Sequence, residues 1–135
     1  AGAGAGRVLA TAGLDPWVRA WDLRRTDAPL HAFRGHASSA VKRFRAIHHP
    51  VFHSKFKDFL ITGGEGSNKI SVYDLKTGTT VSRGNLEADT TCIATGISVT
   101  VGSHEKNSET MNRKKDLVAV ALSTGELMFL ETVHE

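Results

Sequence analysis

One stretch of the chain returns twice in altered form, and this repetition limits the possible folds. A short unit that cannot bury its own apolar face must stack on copies of itself. The first copy runs Leu9-Ala10-Thr11-Ala12-Gly13-Leu14-Asp15-Pro16-Trp17-Val18-Arg19-Ala20-Trp21-Asp22, the second spans Leu60 to Asp74 and the third Leu117 to Glu131. Each reads as strand, small-residue turn, strand: apolar residues alternate with polar ones on either side of a Gly-, Asp- or Ser-containing turn. Val18, Ile70 and Leu127 hold equivalent places, roughly 50 to 60 positions apart and longer than the ~40 to 45 of a typical propeller blade, so the excess belongs in loops.

The segments between the copies complete the strand pattern. Leu30 to Arg34 and Val41 to Ile47 precede the second copy; Thr79 to Ser82 and the β-branched run Cys92 to Val101 precede the third. His48 to Lys57, interrupted by Pro50, reads as a loop, and Gly102 to Asp116 as a long exposed one. The strands then group as two, four and four.

These residues resemble the WD-repeat family of β-propellers, whose unit runs from a Gly-His pair to a Trp-Asp pair. Gly35-His36 leads to Tyr73-Asp74, and Trp21-Asp22 closes an earlier unit; the third copy departs from the pattern, with Leu130-Glu131 in the closing place and Glu87 where the His would fall. The resemblance implies an all-β fold: a propeller fragment of WD-repeat type with four-stranded antiparallel blades and an incomplete ring. Its expected parts are a disordered Ala/Gly lead-in over 1–7, the end of one blade over 8–23, a second blade over 30–75 and a third, degenerate blade over 79–133. About two and a half blades fall short of the four to eight that close a ring. The remainder belongs either to a longer parent chain or to another chain, and a start in mid-repeat favours the first.

The same resemblance implies a hydrogen-bond relay of His, Ser or Thr, Asp and Trp within each blade. Thr11, Asp15 and Trp21 fill its places in the first copy, and His36, Thr62 and Tyr73 in the second, where Ser67 stands near the Asp place. The third copy offers Ser123 or Thr124 and otherwise apolar packing by Leu117, Val118, Leu127, Met128 and Phe129.

Composition narrows the function. The 135 residues are 40% hydrophobic and 23% charged, with a net charge of +3 and one cysteine. This is ordinary globular usage without an internal disulfide, and it points to an intracellular setting. No apolar run approaches the ~20 residues of a spanning helix, so no membrane is expected. The basic spots Lys42-Arg43-Phe44-Arg45 and Arg113-Lys114-Lys115 leave RNA or ribonucleoprotein binding as the alternative function, with solvated charge as the plainer reading.

Catalysis is not expected, because no Gly-x-Ser-x-Gly elbow accompanies the hydroxyl and imidazole residues. Gly63 to Lys69 lacks the Gly-Lys-Ser/Thr order of a phosphate-binding loop and reads as a hairpin turn. His48, His49 and His53 offer too few converging ligands for zinc and read as a solvated loop. No metal or cofactor is therefore called for. The expected function is a scaffold for other proteins in a multiprotein complex. Three residues are its candidate contacts: Arg24, Trp17 and Arg19. Trp17 and Arg19 have hot-spot composition, although packing of Trp17 on a neighbouring blade is the plainer reading. Trp21-Asp22-Leu23-Arg24 matches the Trp-Asp-x-Arg box of many WD-repeat substrate receptors of cullin–RING ubiquitin ligases, in which the Arg docks on the damaged-DNA-binding adaptor.

Overall fold

The computed structural model describes residues 7–13, 15, 17–34, 47–66, 68–102 and 112–132. The lead-in over 1–6, most of the strand expected at Val41 to Ile47, His36 and the Lys42–Arg45 spot lie outside the described residues. Ten strands follow one another: β1 (Val8–Thr11), β2 (Val18–Asp22), β3 (His31–Phe33), β4 (Ile47–Phe52), β5 (Phe59–Gly64), β6 (Lys69–Asp74), β7 (Thr79–Asn85), β8 (Thr90–Gly102), β9 (Asn112–Leu122) and β10 (Leu127–Glu131). They form three antiparallel meanders, β1-β2-β3, β4-β5-β6-β7 and β8-β9-β10. No helix occurs among the described residues.

Alternation sets the faces. In the middle sheet Leu60 pairs with Tyr73 and Thr62 with Ser71, while Ile61 pairs with Val72 and Gly63 with Ile70. Side chains of successive strand residues point to opposite faces, so the first set looks toward the first sheet and the second toward the third. Val18, Ala20, Phe33, Leu60, Tyr73 and Leu75 make one buried cluster; Ile61, Ile70, Ala88, Ile93, Val118, Val120 and Leu122 make the other. Both faces of the middle sheet are covered, which is why β5 and β6 carry apolar or small residues at nearly every position.

Aromatic stacking closes the first gap. The Phe33 and Tyr73 rings lie 4.3 Å apart at 16°, an arrangement that adds to the area they bury. Beside them His31 Nε2–H donates to the Leu75 carbonyl at 2.8 Å. Gly78, at φ 71°, lies beneath that imidazole, where a Cβ would stand 2.7 Å from the ring; the turn therefore needs glycine both for its backbone and for room. In the second gap the Thr90 side chain sits against Gly63, where a Cβ would come within 2.6 Å of it, and Thr95 Oγ1–H donates to the Phe52 carbonyl at 3.1 Å.

Three expectations are corrected. The sheets group the strands three, four and three rather than two, four and four, because β3 pairs with β2 and β7 with β6. His48 to Phe52 belongs to β4 instead of a loop: the register shift between His48 and Val51 makes a bulge that accommodates Pro50, which has no N–H to give a ladder. The Gly102–Asp116 loop is shorter than expected, because β9 already begins at Asn112.

Truncating Phe33 to Ala should cost about 3 to 5 kcal/mol, the range for an aromatic residue lost from a core. Gly63→Ala should cost about 1 to 3 kcal/mol by forcing Thr90 away. Urea unfolding of the two variants against the parent chain measures both.

Candidate functional site

The first sheet carries most of the candidate contacts, and ion pairs hold them in place. Asp15, in the β1–β2 turn, accepts from Arg19 Nη1 at 2.9 Å and from the Trp17 backbone N–H at 3.4 Å. Arg19 is thereby pinned over the turn. Trp17 is half-buried, and its ring centroid lies 5.9 Å from the Arg34 guanidinium carbon, within cation–π reach. Arg19, Trp17 and Arg34 thus give one end of the first sheet a positive rim around an indole.

Arg24 sits on the turn after β2. Its Nε reaches Asp22 Oδ1 at 2.9 Å and Oδ2 at 3.2 Å, its Nη2 reaches Oδ2 at 2.6 Å, and its backbone N–H donates to Oδ1 at 3.0 Å. These bonds hold the Asp22 carboxyl down at about 2, so the pair is charged at any physiological pH. The remaining guanidinium N–H groups face outward from a side chain that is 60% exposed. The fork is fixed in direction and open on one edge, as recognition of a carboxylate or carbonyl requires.

Of the relay residues, Thr11 and Trp21 meet: the Trp21 indole N–H donates to Thr11 Oγ1 at 2.8 Å. Asp15 turns to Arg19. Thr62 and Tyr73 stand at the register positions matching Thr11 and Trp21, because Leu60 pairs with Tyr73 as Leu9 pairs with Trp21. Both are fully buried. Burial pushes the Tyr73 phenol above its ordinary value, opposed by the nearby Ser71 and Thr62 hydroxyls. Tyr73 Oη itself makes no geometric hydrogen bond among the described residues. In the third sheet the matching positions are Val120 and Leu130, since Leu130 pairs with Val118. Ser123 and Thr124 are exposed in the turn, and Leu127 and Phe129 point outward, so apolar packing rests on Val118, Val120, Met128 and Leu130.

Sequence reasoning missed His53. It belongs to no solvated loop; it is 3% exposed. Its Nδ1 accepts from the backbone N–H groups of Lys55 and Phe56, each at 3.1 Å, which places its own proton on Nε2, and Nε2–H donates to Thr132 Oγ1 at 3.0 Å. One neutral imidazole thus folds the β4–β5 loop and ties it to the end of β10. Lys55 extends the tie with a 3.0 Å ion pair to Asp116. Burial lowers the His53 pKa, Asp116 raises it and Lys55 lowers it. Its clue in the sequence was its place beside Phe52, at the end of an alternating run that Pro50 disguised. No group of three or more metal-ligating residues occurs among the described residues.

No family model matches the chain, and no curated protein matches it. Among solved structures, a chain of the "Crystal Structure of Mitotic Checkpoint Complex" overlays 96% of this chain with a TM-score of 0.58 at 17% identity. The chain spans 48% of that chain's length. The likeness is one of fold and agrees with an all-β propeller fragment of stacked antiparallel sheets without a closed ring.

The pH dependence of stability follows from His53. Its depressed pKa makes the neutral form the folded one, so its contribution is complete above the ordinary imidazole value of 6.5. That contribution is lost as the pH falls through the lower folded value. Denaturant midpoints measured from about pH 7.5 down to about 5 should therefore decline, and His53→Gln should flatten the decline.

Proposed function

We propose that this chain is part of a non-enzymatic WD-repeat scaffold, inside the cell, that binds other proteins through the outer rim of its first sheet. The observation that carries this reading is the cluster of Trp17, Arg19 and Arg34 at one end of the first sheet, with Arg24 held in a fixed direction at the other end of β2. Each of the three arginines is held by an intramolecular carboxylate or a ring, so little side-chain entropy remains to be lost on binding. An indole beneath a guanidinium is the composition that concentrates binding energy at interfaces. Such a surface suits an acidic or carbonyl-rich partner segment. Thr11, Asp15 and Trp21, and His36, Thr62 and Tyr73 in the second unit, are structural in this reading and hold the strands that present the rim.

In the more specific form of the proposal, Arg24 docks on the adaptor of a cullin–RING ubiquitin ligase, with the Asp22 carboxylate holding the guanidinium in its docking direction. The match of Trp21-Asp22-Leu23-Arg24 to the receptor box supports this form.

Arg24→Ala should abolish co-purification with the ubiquitin-ligase adaptor while leaving the circular dichroism spectrum unchanged; retained binding removes the specific form. Trp17→Ala, combined with Arg34→Ala, should weaken capture of acidic partner segments by about tenfold or more. Unchanged capture removes the rim as the binding surface.

A further inference from the structure

The turn that carries Arg24 is built twice. Asp22-Leu23-Arg24 leaves β2, and Asp74-Leu75-Lys76 leaves β6. In each, the backbone N–H of the basic residue donates to the Asp Oδ1, at 3.0 Å for Arg24 and 2.8 Å for Lys76. In each, the leucine N–H donates across the turn at 2.8 Å, to the Arg7 carbonyl in the first and to the Asp58 carbonyl in the second. Val8 pairs with Asp22 as Phe59 pairs with Asp74, so Arg7 and Asp58 hold the same place. His31, which follows the first turn, bonds to the Leu75 carbonyl of the second, so the two turns stand at one end of neighbouring sheets.

What differs is the sign of the facing residue, and the direction of the turn's cation follows it. Arg7 offers Arg24 no acceptor, and its positive charge acts on Asp22 as well. The Arg24 guanidinium therefore folds back on Asp22, with Nη2 2.6 Å from Oδ2. Asp58 draws Lys76 the other way: Nζ lies 3.1 Å from Asp58 Oδ2, and no Lys76–Asp74 ion pair forms among the described residues. The two cations are almost equally open, at 60% and 64% exposure, so accessibility does not tell them apart. Charge does. Arg7 and Arg24 share one carboxylate at the first turn, whereas Asp58 and Asp74 border the single cation of the second. An acidic segment is attracted to the first arrangement and meets like charge at the second.

We propose that the residue facing each turn decides whether that turn can hold an acidic segment of a partner protein: Arg7 positions Arg24 for this contact, and Asp58 withholds Lys76 from it. This role deepens the reading of Arg24 as a contact and rests on it. The Trp17 end of the sheet takes no part, so the test of that end stands apart. Ion pairs this exposed contribute little to folding, and the charges at these places can be exchanged without loss of the sheets.

The test uses the 135-residue chain and, as probe, a short fluorescent peptide of alternating Asp and Gly at low salt, where such contacts are least screened. The parent chain should bind one peptide, and Arg24→Ala should abolish binding. Arg7→Asp should weaken binding about tenfold, the order expected when one nearby charge is reversed, and Arg7→Gln should weaken it less. Asp58→Arg, which gives the second turn the charges of the first, should add a second bound peptide that Lys76→Ala then removes. A carbon NMR titration without peptide reads the positioning: the Asp22 carboxyl, held at about 2 in the parent chain, should move up toward its ordinary 3.8 in Arg7→Asp. No binding by the parent chain defeats the reading of Arg24 as a contact, and this role with it. Binding that needs Arg24 but ignores both Arg7 variants, an Asp22 titration that stays in place, or a single bound peptide in Asp58→Arg overturns the role of the facing residue while leaving the Arg24 reading intact.

Discussion

Burial of the middle sheet on both faces is the constraint on which the rest of the structure depends. A sheet with Leu60, Thr62 and Tyr73 buried on one side and Ile61 and Ile70 on the other has little face to give to water. It needs a sheet on each side, and β1–β3 and β8–β10 supply them. Each outer sheet then shows a second face of its own, with Leu9 at 48% exposure at one end and Leu127 and Phe129 at 59% and 54% at the other. These residues stand where, in the middle sheet, the same register positions are covered. The stacking rule is thus written into every copy and satisfied in the central one.

The hairpins were legible in the sequence because their information is local. Alternation over Val18 to Asp22 or Lys69 to Asp74, broken by Gly, Ser or Asp, specifies two strands and their turn, and β1–β2, β5–β6 and β9–β10 pair accordingly. What depends on distant residues was harder to read. Pro50 looks like a strand breaker until the bulge opposite β5 shows that its missing N–H faces no partner. His53 looks solvated until Thr132, far along the chain, is brought to its Nε2. Of the relay, the Thr11–Trp21 bond could be anticipated from the repeat, whereas the turning of Asp15 to Arg19 could not.

Electrostatics plays a smaller part in stability than in presentation. The ion pairs of Arg19 with Asp15 and Arg24 with Asp22 sit at the surface, where such pairs contribute little to folding. Their effect is to fix long side chains that would otherwise sample many rotamers. The deeper polar contacts, His31 on the Leu75 carbonyl and His53 on Thr132, join separate sheets, and His53 does so as a neutral imidazole where a cation would be expensive to bury.

Pro50 has one more consequence. Among the described strands β4 pairs with β5 alone, and a bare strand edge invites pairing with any extended chain that drifts past. A proline at the bulge interrupts that row of donors, and the kink it sits in breaks the flatness that fibril-like growth requires. Strand addition along β4 is thereby disfavoured where the proline sits.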